Sequence, residues 1–341
     1  MANLFDRERN KRTQAKKDKA EKKALRSTEP SSLTDEGVVE FEVGVLAGIQ
    51  PKVFTVMKED VFLPGALDRE IDPDVASDFV IGDRVFFRRG IEETDPVLLV
   101  GREERRSFVT RSRGDWTRVD ANLEEHVLSA NVDIGIITVS VKDPDFHPRF
   151  IDRYLALLQV GNVRPVICLT KTDLTDLQDE ILTFYQSINV PIIRTSSLRS
   201  EGIEELKNAI RGKTAVFLGQ SGVGKSSLLN ALIPGIEANT GEVNQKTGKG
   251  RHTTTGSSLL KWDTDSYIID TPGIRSLGID QLPKKEIRYL FPEFEVLEKP
   301  CKFSDCLHMS EPGCAVKQAL ENKDPMINHF RYESYLKMME G

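Results

Sequence analysis

The sequence predicts an α/β fold with a smaller unit on each side of it. Three observations carry this expectation. Between residues 130 and 282, near-continuous apolar runs alternate with amphipathic stretches, the pattern of a parallel sheet covered by helices on both faces. Before that, from 37 to about 113, short alternating runs separated by turn residues read as a small β-barrel. After it, three of the four cysteines and a histidine fall together between 301 and 314, a spacing that suggests metal rather than disulfides in a reducing compartment.

The bulk numbers agree with this organisation. A chain of 341 residues has room for two or three domains. With 39% hydrophobic and 29% charged residues it reads as soluble and globular. No apolar run approaches the roughly 18 residues of a membrane span, and the charged N-terminus carries no hydrophobic signal region, so a cytoplasmic protein with no membrane partner is expected.

Residues 1–36 read as a basic tail and linker. Asp6 to Arg26 holds 10 Lys/Arg and 4 Asp/Glu although the whole chain has a net charge of −6. The stretch has no aromatic residue to bury, so disorder is expected. It is either a solubilising tail or an arm for nucleic-acid phosphates.

Residues 37–113 follow as the barrel, with "VVEFEVGVLAG", "KVFTVMKEDVFLPGAL", "VIGDRVFFRRG" and "DPVLLVGREE" as its strands. An oligonucleotide-binding (OB) type is favoured, and the pattern also permits an SH3-like barrel. The next stretch, "RSFVTRSRGDWTRVD", carries Arg106, Arg111, Arg113, Arg118 and Trp116. It is either a solvated linker or a basic strip with a stacking aromatic, which suits RNA.

The α/β unit is expected over 114–281, with that linker at its start. Its strands are "IGIITVSV" (134–141), "PVICLT" (165–170), "PIIRTS" (191–196) and "AVFLGQ" (215–220), each followed by a helical stretch, and "SLLKWDTDSYIIDTPG" adds two more strands. Residues 282–341 hold the Cys/His segment and two short helices near 315–322 and 328–339.

The chemistry is concentrated in five stretches. "GQSGVGKSS" follows a strand and opens a helix, the context of a phosphate-binding loop. Its residues Gly219, Gln220, Ser221, Gly222, Val223, Gly224, Lys225, Ser226 and Ser227 are expected to wrap nucleotide phosphates. Backbone N–H groups and the helix N-terminus face the anion, Lys225 reaches the outer phosphates, and the Ser226 hydroxyl binds Mg²⁺. "TKTD", Thr170, Lys171, Thr172 and Asp173, stands at the end of a strand. The Asp173 carboxylate accepts from the N1–H and 2-amino group of guanine, donors that adenine lacks. Alone, the motif reads equally as a helix N-cap at Asp173; beside a phosphate loop it points to GTP. Ser196 and Ser197 in "TSSLRSEGIEEL" match a second base-contacting loop of pattern S-A-x-x-G-x-G, with Ser197 in place of Ala and Ser200 in place of the first Gly.

"DTPG" (270–273) ends a strand. Asp270 is expected to hold Mg²⁺ through water, and the Gly273 N–H to sense the γ-phosphate. "GKGRHTTT" (248–255) occupies the place of a first switch, with Thr253, Thr254 and Thr255 as candidates to close on Mg²⁺ and Thr254 favoured. Many GTPases place a water-orienting Gln after the second-switch Gly. Here Ile274 stands there, so hydrolysis needs another group; His252 is the nearest candidate, either catalytic or contacting a partner. "CKFSDCLHMSEPGC" offers Cys301, Cys306, His308 and Cys314, a closed Cys₃His set suited to one structural Zn²⁺. Cys168, inside an apolar strand, is expected in the core.

The motif order is unusual: the base motifs precede the phosphate loop and switches, the order obtained by joining the usual ends and cutting after the second switch. This set resembles the circularly permuted small-subunit-dependent GTPase A (RsgA, or YjeQ) family over about residues 37–325. The resemblance implies an OB barrel, a circularly permuted P-loop GTPase domain and a C-terminal zinc-binding domain. It implies GTP hydrolysis stimulated by the small ribosomal subunit during its late maturation, contact with that subunit's rRNA, Mg²⁺ with GTP, and a catalytic role for His252. Thr170 departs from the commoner Asn of the base motif. A monomer is expected. Two other readings compete: a GTP-dependent rRNA-binding scaffold in which hydrolysis is incidental, and a P-loop ATPase or kinase, against which "TKTD" argues.

Overall fold

The computed structural model describes residues 33–34, 37–38, 41–51, 53–110, 127–177, 180–233, 258–270, 284–297 and 299–340. Two short strands, β1 (Leu33–Thr34) and β2 (Gly37–Val38), pair antiparallel. The barrel follows: β3 (Glu42–Gln50), β4 (Val53–Lys58), β5 (Val61–Leu67), α1 (Pro73–Asp78), β6 (Arg84–Arg88) and β7 (Val97–Arg102). Period-2 alternation drives it. Leu46, Val56, Val85, Phe87 and Leu99 point inward and are fully buried together with Phe54 and Phe79.

Connectivity decides the barrel type. The meander β3–β4–β5 is closed by a parallel β5/β7 pair, by β7/β6, and by β6 returning to β3. The first strand therefore pairs with the second and the fourth, and the third lies parallel to the fifth, which is the five-stranded Greek-key OB arrangement. The helix α1 between the third and fourth strands was not expected; Pro73 at its start has no N–H to lose there. Below the barrel, Arg105 is fully buried, with Nε 2.6 Å from Asp83 Oδ1. Its Nη2 donates to the Asp78 carbonyl, so the chain leaving the barrel is clamped to it.

Next, β8 (Phe108–Thr110) pairs with β9 (Val127–Ala130). The α/β unit consists of β10 (Ile134–Ser140), α2 (Pro148–Val160), β11 (Arg164–Thr170), α3 (Glu180–Ser187), β12 (Ile192–Arg194), α4 (Ile203–Ile210), β13 (Thr214–Leu218), α5 (Lys225–Leu232), β14 (Ser258–Asp263) and β15 (Ser266–Asp270). The strand order is β12-β11-β10-β13-β15-β14, all parallel except β14. Successive residues of one strand feed opposite faces. On one side Ile137, Ile167 and Leu218 pack with Leu158 of α2 and Tyr185 of α3. On the other Ile136, Val166 and Phe217 pack with Leu206 of α4 and Leu228 of α5. Double coverage is why these strands read as continuous apolar runs. Cys168 lies fully buried in the second core, where burial pushes its thiol up to about 12.

The barrel is joined to this sheet through a β14–β3 pairing at Ser258 and Gly48. The C-terminal unit holds α6 (Lys284–Ile287), two 3₁₀ turns (Arg288–Leu290 and Pro292–Phe294), α7 (Ala315–Glu321) and α8 (His329–Glu340) around Phe291, Phe294, Val316 and Tyr335. It docks on α2: Arg331 of α8 is 2% exposed, with Nη1 2.9 Å from Asp152 Oδ1 and Nε 2.7 Å from Glu293 Oε1. Among the described residues no helix is long and apolar enough to cross a membrane.

Candidate GTP and metal sites

The strand order fixes where a ligand belongs. From β10 the chain builds outward through β11 to β12, then returns to the other side of β10 with β13. The direction reverses between β10 and β13, and ligands of open parallel sheets bind beyond the carboxyl ends of the strands at such a point. The segments leaving β10, β11 and β13 there are 141–147, 171–177 and 219–224.

The loop after β13 has the backbone its glycines predict. Gly219 has φ +144°, and a Cβ on it would lie 2.3 Å from the Thr138 carbonyl oxygen. Gly224, φ +99°, lies against Thr170, with its Cβ position 3.7 Å from Thr170 Oγ1. Val223 is buried, whereas Ser221, Gly222 and Ser227 are exposed. The Lys225 ammonium folds back onto the carbonyls of Gly219, at 2.6 Å, and Gln220.

The base motif sits against this loop. Thr170 is 3% exposed, and its Oγ1 contacts the Val223 carbonyl at 2.5 Å and the Val139 carbonyl at 3.2 Å. The hydroxyl thus ties the base loop to the phosphate loop, a short-range version of what a longer amide side chain can reach. Lys171 has φ +58° and donates its ammonium to the Asp143 carbonyl. Thr172 N–H bonds the Thr195 carbonyl at 3.2 Å, which joins the two base loops. Asp173 accepts from Ser196 Oγ at 2.6 Å, and that hydrogen bond holds its carboxyl below the usual carboxylate range. Asp173 lies in a turn closed by Leu174 N–H on the Lys171 carbonyl, and α3 begins only at Glu180, so it is not a helix N-cap.

The second base loop is pinned by the Ser196 and Glu201 backbones, which exchange two hydrogen bonds of 3.1 Å. Ser196 is fully buried and Ser197 half-buried. Ser200 adopts φ +56°, the left-handed region that explains why glycine is usual at this position. Asp270 ends β15, one residue beyond the Val216–Ile269 pair and so level with Phe217, two residues before the phosphate loop. Thr170 to Asp173, Ser196, Ser197 and Gly219 to Ser227 are therefore brought to one end of the sheet. His252, Thr253, Thr254, Thr255, Gly273 and Ile274, the basic tail, and Arg111, Arg113, Trp116 and Arg118 lie outside the described residues. Arg106 forms an ion pair with Asp133 at 2.7 Å.

Sequence reasoning missed the segment 140–147. Ser140 Oγ donates to the Pro144 carbonyl at 2.6 Å, and Pro144 lies 3.8 Å from the Cβ position of Gly222. On α2, which follows, Tyr154 lines a small pocket with Gln220 and Val223 of the phosphate loop.

The second site is in the C-terminal unit. The ligand atoms of Cys301, Cys306, His308 and Cys314 all lie within 4.8 Å of one another. Cys301 Sγ and Cys314 Sγ are each 3.5 Å from His308 Nδ1 and 4.0 Å from each other. Around one tetrahedral zinc with Zn–S of about 2.3 Å, sulfurs stand about 3.8 Å apart, so the four groups can hold a metal ion with little movement. Second contacts orient them: Ala315 N–H points at Cys301 Sγ (3.2 Å), and His308 N–H points at Cys306 Sγ (3.4 Å). Tyr332 bonds the His308 carbonyl at 2.6 Å. Glu311 accepts from the N–H groups of Leu307, Met309 and Ser310. Burial pushes the Cys306 thiol up to about 12 and the His308 imidazole down to about 4. Such buried thiols become thiolates only when a cation compensates them.

Comparisons with known proteins agree with this geometry. A model of the RsgA GTPase family matches residues 102–280. The small ribosomal subunit biogenesis GTPase RsgA of Bacteroides fragilis is 37% identical over 265 residues, covering 76% of this chain and 83% of that protein. The protein of the same name from Thermotoga maritima is 44% identical over 214 residues, covering 61% and 71%. Among solved structures, YjeQ from Thermotoga maritima superposes with a TM-score of 0.69 at 32% identity, covering 88% of this chain and 98% of that one. YloQ, described as a circularly permuted GTPase, gives 0.66 at 27% identity, covering 88% and 94%.

Proposed function

Since the chain belongs to the RsgA GTPase family, we propose that it hydrolyses GTP to GDP and phosphate on the small ribosomal subunit during that subunit's biogenesis. The observation that carries this reading is that Ser196 ties Asp173 to the second base loop while Thr170, three residues before Asp173, bonds Val223 of the phosphate loop. A guanine-reading carboxylate and a triphosphate cradle are thereby held as one unit despite their reversed order in the chain. Asp173 reads the base and Lys171 lies along it. Gly219 to Ser227 wrap the phosphates, with Lys225 moving from its backbone carbonyls onto them. Ser226, Thr254 and Asp270 serve the Mg²⁺ that accompanies GTP, and the Gly273 N–H senses the γ-phosphate. Cys301, Cys306, His308 and Cys314 hold one structural zinc. Partners are the small subunit's rRNA, met by the OB barrel and the C-terminal unit, and the protein works as a monomer in the cytoplasm. The scaffold reading is not favoured, because the relatives are named as GTPases.

Ile274 has no group to orient water, so His252 takes that role. Phosphoryl transfer depends on charge stabilisation and a positioned water. Single-turnover phosphate release, with and without purified small subunits, tests this. Wild type is expected to be slow alone and strongly stimulated. His252→Ala is expected to lose about 10²-fold of the stimulated rate, the scale of a removed acid–base or positioning group, while still co-sedimenting with the subunit and GTP. Normal hydrolysis by the variant would exclude His252; failure to bind the subunit would make it a docking residue. No stimulation of wild type would favour the scaffold.

A further inference from the structure

One cavity among the described residues lies away from the GTP site. It lies at the other end of the sheet, where the strands begin, and holds about 560 Å³, within the range of small-molecule sites. Three parts of the chain build it. Arg106 comes from the segment after the barrel. Arg164, the first residue of β11, and Asn189, before β12, come from the α/β unit. Leu290 and Pro292 come from the C-terminal unit.

The charges in it are unevenly satisfied. Asp133 is fully engaged: one carboxylate oxygen pairs with Arg106 Nη1 at 2.7 Å and the other accepts from Thr214 N–H at 2.8 Å. Arg331, at the wall, spends its guanidinium on Glu293 and Asp152. Arg164 donates its backbone N–H to the Asp133 carbonyl at 3.2 Å, which roots its side chain beside Arg106. That side chain is exposed and has no partner among the described residues. The Arg106 side chain is 62% exposed. Arg106 also donates its Nη2 to the Asn131 carbonyl at 3.1 Å, so Arg164 is the cation of this lining without a counter-charge among the described residues.

Its neutral groups are equally specific. Asn162 gives its Nδ2 to the Arg106 carbonyl at 3.1 Å, which leaves its amide oxygen to accept. The Asn189 amide has no partner among the described residues. Ile188, Val190 and Leu290 supply an apolar surface beside these amides.

We propose that this cavity binds a nucleoside monophosphate unit, separately from GTP. The phosphate sits on the unpaired Arg164, whose guanidinium suits its oxygens. The base lies against Ile188, Val190 and Leu290, with Asn162 and Asn189 on its edge. A free mononucleotide and an unpaired nucleotide of an RNA strand share this chemistry. Because the walls belong to separate units, the ligand would bridge them.

The test uses the full-length protein with saturating GDP and fluorescently labelled AMP followed by anisotropy. Asp173 excludes adenine from the guanine site, and GDP occupies it. Saturable binding of one AMP per chain is expected. Arg164→Glu should weaken it by about tenfold or more, the scale of a lost hydrogen bond to a charged group, with GDP affinity unchanged. Arg164 is exposed, so the variant keeps its fold. Displacement by a short oligoadenylate at lower concentration than by AMP assigns the site to an RNA strand; displacement by AMP alone assigns it to the free nucleotide. No saturable AMP binding, or equal binding by Arg164→Glu, overturns the proposal.

Discussion

Replacing Arg331 by methionine should separate the C-terminal unit from the α/β unit energetically. The substitution keeps an unbranched apolar stem and removes the cation. In the structure the guanidinium lies 4.4 Å above the Phe291 ring. It bonds Glu293 at 2.7 and 3.3 Å and Asp152 at 2.9 Å. The side chains of Asp152 and Glu293 are 0% and 1% exposed, so neither carboxylate can turn to water. Nor is a spare donor at hand, since Tyr185 already bonds Asp152 Oδ1 at 2.6 Å and Asp152 Oδ2 has no partner among the described residues. Removing one member of a buried ion set leaves uncompensated charge and costs about 3–5 kcal/mol, a large share of the roughly 5–15 kcal/mol that holds a domain folded. The assay is urea unfolding of the full-length, metal-loaded protein followed by circular dichroism, comparing R331M with R331M/D152N/E293Q. The triple variant removes all three charges and should recover more than half of the loss. A loss below about 1 kcal/mol for R331M would refute the reasoning, because that is the scale of an exposed pair. Equal losses for both variants would show that packing, not charge, carries the contact.

Three further outcomes are expected. Asp173→Asn turns one acceptor into a donor facing guanine donors, so GTP affinity should fall about tenfold or more while xanthosine triphosphate gains; unchanged GTP titration would remove Asp173 from the base. Thr170→Val strips the hydroxyl from two buried carbonyls at 2.5 and 3.2 Å, which should cost about 1–3 kcal/mol of stability and weaken GTP and GDP together; a loss confined to GTP would argue for a γ-phosphate role instead. Cys306→Ser should lose the single zinc by elemental analysis and loosen residues beyond 290, leaving GDP affinity near normal because that pocket lies in another unit; zinc retained at one per chain would sink the assignment.

The sheet was legible because its strands are buried on both faces. Ile134–Ser140 and Arg164–Thr170 differ from their expected bounds by one residue at an end. The phosphate loop and the base motif were legible because phosphate and guanine demand particular residue types at fixed spacing. The closure of the barrel was not, since the parallel β5/β7 pair joins residues about thirty apart and leaves no local period. Nor was α1, six residues long and too short for a 3.6-residue pattern to emerge. The Thr170–Val223 bond escaped notice because a hydroxyl contact across fifty residues writes nothing into either segment. For the same reason Arg164, one residue before the expected strand, carried no signal in the sequence.

The position of the permutation bears on how nucleotide state can reach the C-terminal unit. With the usual order, the chain would leave the sheet after β12 and α4, and the zinc-binding segment would have no covalent tie to the second switch. Here the chain leaves from β15 at Asp270 and reaches α6 at Lys284. Glu293, nine residues further on, holds Arg331, and Arg331 holds Asp152 of α2. Two residues along α2, Tyr154 lines a small pocket together with Gln220 and Val223 of the phosphate loop. The C-terminal unit is thus attached to the GTP site twice, by the chain after Asp270 and by a buried charge cluster on the helix behind the phosphate loop. Breaking the cluster is costly, since a buried guanidinium taken from its two carboxylates leaves uncompensated charge. A displacement following loss of the γ-phosphate therefore either stops short of this cluster or is passed to Arg331. The R331M variant distinguishes the two routes: if the second is used, small-subunit affinity in GTP and in GDP should converge, and if the first is used, their ratio should stay as in wild type.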